Sequence, residues 1–77
     1  MITGGQIRAA RGLVRLSAES LAKRARLGVA TVRRAELADG EPPITMANNA
    51  AIQRALEEAG VIFINGGEPG VKLRKPE

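Results

Sequence analysis

The sequence predicts a mainly α domain of four helices that ends in a β-hairpin, and three observations point to this fold class. The chain has 77 residues, about half of a typical domain, so one compact unit is expected. Apolar residues recur at helical spacing up to Gly60, in four segments separated by capping and turn residues. Beyond Gly60, β-branched residues and alternation replace that spacing. We therefore divide the chain into a helical part, residues 1–60, and a hairpin tail, residues 61–77.

The first two helices are predicted from capping residues and apolar spacing. The first helix covers residues 4–14, directly after Thr3. Its apolar face comprises Ile7, Ala10 and Val14. The second helix covers residues 18–25, because Ser17 is a good N-cap. Its expected inward residues are Leu21, Ala22 and Ala25.

The third helix follows a connector of only three residues, 26–28. It is predicted over residues 29–38. Its expected inward residues are Val32 and Ala35. The loop at residues 39–43 ends this helical segment, because consecutive prolines cannot continue a helix.

The fourth helix and the tail complete the predicted fold. Thr45 is positioned to cap a helix over residues 46–59. Its apolar side is expected to comprise Ala50, Ala51, Ile52, Ala55, Leu56 and Ala59. In the tail, residues 61–64 and 71–74 are predicted as strands, and residues 65–70 as the turn between them.

The composition excludes several classes of function. No cysteine, histidine, tryptophan or tyrosine is present, and Phe63 is the one aromatic residue. These counts exclude disulfide scaffolds, zinc fingers, and catalysis by imidazole or thiolate. They also exclude nucleic-acid binding through stacked aromatic side chains. Since no nucleophile–base pair or phosphate-binding glycine loop is present either, we expect no enzyme, no catalytic residue, no cofactor and no bound metal.

Positive charge is concentrated in the first half of the chain. Residues 1–37 carry eight arginine and lysine side chains against two acids, whereas residues 38–77 carry four against six. A basic half is typical of a protein that binds a polyanion. A solvated basic surface without a partner is the alternative.

The second and third helices match the helix-turn-helix pattern, in which two helices are joined by a short turn. Ala22 supplies a small residue where the helices cross, Val32 supplies the apolar anchor, and Leu27 fills the turn. Such a pair presents its second helix to the major groove of DNA, which is about 12 Å wide. Ordinary helical packing without DNA contact is the alternative.

Residues 6–25 (QIRAARGLVRLSAESLAKRA) and residues 30–36 (ATVRRAE) resemble the Xre/Cro-type helix-turn-helix domains of phage repressors and small bacterial regulators. Residues 59–75 (AGVIFINGGEPGVKLRK) also resemble a subgroup of short bacterial members. The resemblance covers nearly the whole chain. It implies a four-helix repressor-like domain that regulates transcription as a homodimer on a palindromic operator in double-stranded DNA.

The resemblance also implies which residues meet the DNA. The expected base contacts are Val29, Ala30, Thr31, Arg33 and Arg34. Either arginine could bond guanine O6 and N7, and the smaller residues suit a thymine methyl group. The expected phosphate contacts, which fix register without selecting sequence, are Ser17, Ala18, Lys23, Arg24 and Arg26. For Arg33 and Arg34 the alternative is a phosphate contact or plain solvent exposure, and for Lys23 and Arg24 it is plain solvation.

Two further expectations concern helix ends and helix pairing. The resemblance implies a structural ion pair between Arg11 and Glu36, so neither is expected to bind DNA. The chain departs from the family at Arg15 and Arg26, where members usually have glycine. It also has Gly28 where a serine or threonine commonly caps the third helix. These departures leave two possibilities, a different turn geometry or a tolerated left-handed backbone.

The hairpin is the expected joint of the homodimer, because an isolated two-stranded hairpin is marginal in water. The expected interface residues are Val61, Ile62, Phe63, Ile64, Val71 and Leu73, with a contribution from the fourth helix. The alternative is a hairpin that folds back onto its own helices.

The rival function is a protein-interaction module, such as an antitoxin or anti-activator that uses the same fold. The activity of a regulator of this kind could be set by its own concentration or by a regulatory partner protein. We expect a cytoplasmic protein that does not bind membranes, because the apolar runs are too short for a span and no signal-peptide pattern is present.

Overall fold

The computed structural model describes residues 1–75. Its elements are α1 (Gly4–Val14), α2 (Ala18–Ala25), α3 (Val29–Leu37), α4 (Met46–Glu58), β1 (Val61–Ile64) and β2 (Gly70–Leu73). The predicted fold class, a mainly α chain with a C-terminal hairpin, is confirmed at this level. Pro76 and Glu77, the end of the predicted tail, lie outside the described residues.

One buried apolar core takes side chains from every helix and from β1. Its fully buried large members are Ile2, Ile7, Leu21, Val32, Ile52, Leu56 and Val61. The predicted inward residues of α2 and α3 all lie in it. On α4, however, Ala50 is exposed and Asn49 is buried instead. The reason is helical spacing, since residue 49, and not residue 50, shares a face with Ile52 and Leu56.

The start of α1 is docked against the loop that follows α3. The Gly4 N–H donates to the Gly40 carbonyl at 2.8 Å, and the Gly5 N–H donates to the Asp39 carbonyl at 3.2 Å. A Cβ at position 4 would lie 1.8 Å from the Ala38 carbonyl oxygen, so only glycine fits there. Ala38 has extended backbone angles, which ends α3 at Leu37, one residue earlier than predicted.

The hairpin strands are antiparallel, with Val61 opposite Leu73 and Phe63 opposite Val71. These four residues share one face, because side chains alternate along a strand. Val61 is fully buried, and Phe63 and Val71 pack against the helical core. Val61, one of the expected dimer contacts, thus has its side chain enclosed within its own protomer.

The opposite side, here called the outer hairpin face, consists of Ile62, Ile64 and Lys72. Ile64 and Lys72 are exposed and Ile62 is half-buried. Gln6 holds the hairpin to α1, because its Nε2 donates to the Ile64 carbonyl at 3.1 Å and to the Gly70 carbonyl at 3.0 Å. Val61, Phe63 and Val71 thus cover the core, whereas Leu73 on the same face is 51% exposed. The outer hairpin face is open to solvent at Ile64 and Lys72.

Candidate nucleic-acid interface

The connector between α2 and α3 holds the two helices in close contact. Ala22 and Val32 are buried where the helices meet, and Leu27 is half-buried against the core. Arg26 has the left-handed angles φ 59° and ψ 43°, and its N–H donates back to the Ala22 carbonyl. The Leu27 N–H donates to the same carbonyl at 2.9 Å. The tight turn usual with glycine therefore forms here with arginine.

The solvent-facing side of α3 carries four exposed residues at helical spacing: Ala30, Arg33, Arg34 and Leu37. We call this set the outer stripe. It contains three of the five predicted base-contact residues. The other two, Val29 and Thr31, are half-buried, and Val29 packs against the core.

Leu37 is a member of the outer stripe that the sequence analysis missed. Its side chain is 85% exposed, the highest value among the large apolar residues described. The available signal was its spacing, because residue 37 lies three positions after Arg34 and four after Arg33. Leucine is usually buried, so the residue type favoured a place in the core over a place on the outer stripe.

The two arginines of the outer stripe differ in their surroundings. Arg33 Nη2 donates to Glu19 Oε2 at 2.8 Å, which joins the start of α2 to α3. Within residues 1–75, Arg34 makes no ion pair. The pKa of Glu19 is lowered, first by a hydrogen bond from its own backbone N–H and then by the charge of Arg33. Arg34 therefore offers its full charge to solvent, whereas that of Arg33 is partly neutralised.

The predicted phosphate contacts surround the start and the end of α2. Ser17 caps the helix, since its Oγ accepts from the Ser20 N–H at 3.0 Å. The Ala18 side chain is buried, so only the backbone of this residue can meet a phosphate. The remaining three, Lys23, Arg24 and Arg26, are exposed.

Arg11 and Glu36 form a two-point ion pair between α1 and α3. Arg11 Nε lies 2.8 Å from Glu36 Oε2, and Arg11 Nη2 lies 3.0 Å from Glu36 Oε1. A third guanidinium bond reaches the Leu16 carbonyl at 3.1 Å. The hydrogen bond to Glu36 raises the pKa of Arg11, against the opposing effect of burial. The pair fixes α3 against α1 and leaves neither side chain free for a ligand.

Arg8 also bonds other groups of the protein, at the end of α3 and in the loop that follows. It donates to the carbonyl oxygens of Glu36 and Ala38 and forms a 2.5 Å ion pair with Asp39. These bonds satisfy carbonyl groups at the C-terminal end of α3. Of the eight basic residues in the first half of the chain, Arg8 and Arg11 therefore serve the fold itself.

Residues 1–75 show neither a metal site nor a membrane-spanning helix. No cluster of acidic residues there could hold a metal ion. None of the described helices is both long enough and apolar enough to cross a membrane. No protein-family model matches the chain, and no curated protein matches it.

Proposed function

We propose that the chain is a sequence-specific, double-stranded DNA-binding transcriptional regulator that acts as a homodimer on a palindromic operator. The observation that carries this proposal is the outer stripe. Its exposed arginines lie on a helix braced from two sides, by α2 and by the Arg11–Glu36 pair. A rigid helix with a cationic face is what major-groove recognition requires.

The chemistry of the outer stripe suits base recognition. Ala30 is small and exposed, so the helix can approach the base edges closely. Arg34 can bond the O6 and N7 atoms of guanine, a contact worth about 1–3 kcal/mol of discrimination. Lys23, Arg24 and Arg26 add exposed charge beside the same helix pair, as phosphate contacts would need. Together these features support a repressor-like helix-turn-helix domain.

The homodimer rests on the outer hairpin face. A single helix-turn-helix reads too few base pairs for specific binding in a genome, so a second copy is needed. Ile64 is exposed and Ile62 is half-buried on the face turned away from the protomer's own helices. A second copy of the chain would cover these apolar side chains.

Arg34→Ala tests the assignment directly, with Arg54→Ala on α4 as the matched control. Duplexes selected from a random pool provide the operator, and binding is measured over a range of salt concentrations. We expect Arg34→Ala to cost about 1–3 kcal/mol at one base position and to relax preference there. Arg54→Ala removes the same charge from an exposed site outside α2 and α3 and should preserve the preference.

The wild-type protein should also lose affinity with log salt at a slope of about −0.9 per phosphate contacted. Binding without this dependence would contradict the proposal, and so would equal effects of the two variants on sequence preference.

A second candidate, a module that binds a protein as antitoxins or anti-activators do, is favoured by exposed apolar residues. Leu37 is 85% exposed and Met46 is 76% exposed, at the two ends of the loop between α3 and α4. Such residues are common in protein interfaces. This function predicts no salt-dependent duplex binding by the chain alone, so the same titration separates the candidates.

A further inference from the structure

The contact between Glu19 and Arg33 stands out because it joins the two parts of the candidate interface. Glu19 lies in the first turn of α2, beside the expected phosphate contact at Ser17. Arg33 lies on the outer stripe of α3. The 2.8 Å bond between Arg33 Nη2 and Glu19 Oε2 therefore fixes a predicted base-contact side chain against a predicted phosphate-contact helix.

The pair has little value for the stability of the fold. The two side chains are 58% and 64% exposed, and ion pairs at such positions change an equilibrium by about fivefold at most. The Arg11–Glu36 pair, in contrast, makes two bonds and is largely enclosed. A carboxylate on a surface that meets phosphates is also unfavourable for DNA affinity. Neither stability nor phosphate binding therefore gives this pair a role.

The bond leaves Arg33 able to bind a base. A guanidinium has five N–H donors in a rigid planar fork, and Glu19 occupies only one nitrogen, Nη2. The remaining donors can still bond guanine O6 and N7. Because a long side chain loses rotamer freedom on binding, a carboxylate that already restrains it reduces that loss.

We propose that Glu19 is a positioning residue for specificity, which holds the Arg33 guanidinium ready for one base and is retained as its partner in the complex. This inference rests on the proposed DNA-binding function. It assigns opposite effects to one carboxylate: Glu19 favours the operator through Arg33 and disfavours all other DNA through its charge.

The test is Glu19→Ala in the full chain, measured on the selected operator and on a scrambled duplex of equal length. We expect operator affinity to fall by up to about fivefold, the gain expected of an exposed pair. Affinity for the scrambled duplex should stay constant or rise, because a negative charge has been removed. The ratio of the two affinities should therefore fall. Glu19→Gln, which keeps an acceptor oxygen, should retain part of the ratio.

Two controls make the result specific to Arg33. Glu58→Ala removes an exposed carboxylate from α4 and should leave the ratio unchanged. In an Arg33→Ala background, Glu19→Ala should no longer lower the ratio, because the side chain that it positions is absent.

The outcomes distinguish the two proposals. A wild-type protein without salt-dependent duplex binding would overturn the proposed function, and the role of Glu19 with it. Sequence-selective wild-type binding with an unchanged or higher ratio in Glu19→Ala would overturn the role of Glu19 alone. A drop in the ratio that persists in the Arg33→Ala background would overturn it as well.

Discussion

Asn49 is a buried polar side chain whose two amide atoms are both used. Its Oδ1 accepts from the Ile2 N–H at 3.1 Å, and its Nδ2 donates to the Ile2 carbonyl at 3.0 Å. The amide thus satisfies both backbone groups of a residue whose own side chain lies in the core. It ties the start of the chain to α4 across most of the sequence.

Asn49→Ala should therefore destabilise the protein strongly, with Asn48→Ala as the adjacent control. The first change leaves the Ile2 N–H and carbonyl without partners, each at a cost of about 1–3 kcal/mol. Asn48 makes no side-chain hydrogen bond among residues 1–75, so its replacement should stay within about 0.5 kcal/mol. Thermal melts measure both, and equal melting temperatures would contradict this role.

Polar side chains with partners far away in the sequence could not be predicted from local patterns. Thr3 and Gln6 form a capping box, which the T-x-x-Q spacing could have indicated. The Gln6 bonds to the hairpin, however, join residues about sixty positions apart, and no local pattern contains them. Asn49 was missed for a related reason, because a polar residue counts against burial until its partner is known.

At the scale of elements, α1 and α2 end without glycine, the residue that most often takes the left-handed conformation after a helix. Arg15 and Arg26 both follow their helices with left-handed angles, φ 56° and 59°. The sequence left two possibilities here, and the structure has the left-handed one. Capping residues and apolar spacing gave the bounds of α1 and α2 correctly, because both helices end in local backbone bonds. The end of α3 depended on contacts with Gly4 and was placed one residue late.

Arg26→Gly should raise stability while weakening DNA binding. Removing the side chain relieves a left-handed conformation that costs about 1–2 kcal/mol, part of which the greater freedom of unfolded glycine cancels. A net gain of about 1 kcal/mol corresponds to a melting temperature about 4–8 °C higher. The lost charge should reduce the salt slope by about one phosphate contact.

Arg15→Gly is the control for the conformational part of this prediction, since it relieves the same strain outside the α2–α3 connector. It should raise the melting temperature by a similar amount and leave more of the DNA affinity intact. If Arg26→Gly lowered stability, the positive φ would not be a source of strain. An unchanged salt slope would instead remove Arg26 from the phosphate contacts.

At the scale of the whole molecule, the least predictable feature was which face of the hairpin turns inward. The run Val61-Ile62-Phe63-Ile64 is apolar throughout, so alternation could not assign its faces. In the structure, Val61 and Phe63 lie against the helices, and the Gln6 bonds hold the hairpin in this orientation. Of the six residues expected at an interface, Ile64 on the outer hairpin face and Leu73 on the opposite face are exposed, at 43% and 51%.

The protomer extends 33 Å along its longest axis, and one turn of DNA is about 34 Å long. In the proposed dimer, a twofold axis would place one α3 helix in each of two successive major grooves on one side of the duplex. We expect a palindromic footprint whose half-sites are about one helical turn apart.

If the proposed dimer forms through the outer hairpin face, Ile64→Glu should convert it into monomers, with Leu13→Glu on α1 as the matched control. The two side chains are 43% and 41% exposed, so both variants place a carboxylate on a similarly open apolar site. Only the first is on the outer hairpin face, where a second copy would have to remove the new carboxylate from water, a cost that one nearby Lys72 does not offset. Sedimentation at micromolar concentration should show a monomer for Ile64→Glu and a dimer for Leu13→Glu and wild type.

Operator affinity should fall in the monomer, while salt-dependent binding to any duplex persists, because each protomer keeps its outer stripe. An Ile64→Glu variant that stays dimeric would place the joint elsewhere, and a monomeric wild type would contradict the dimer itself.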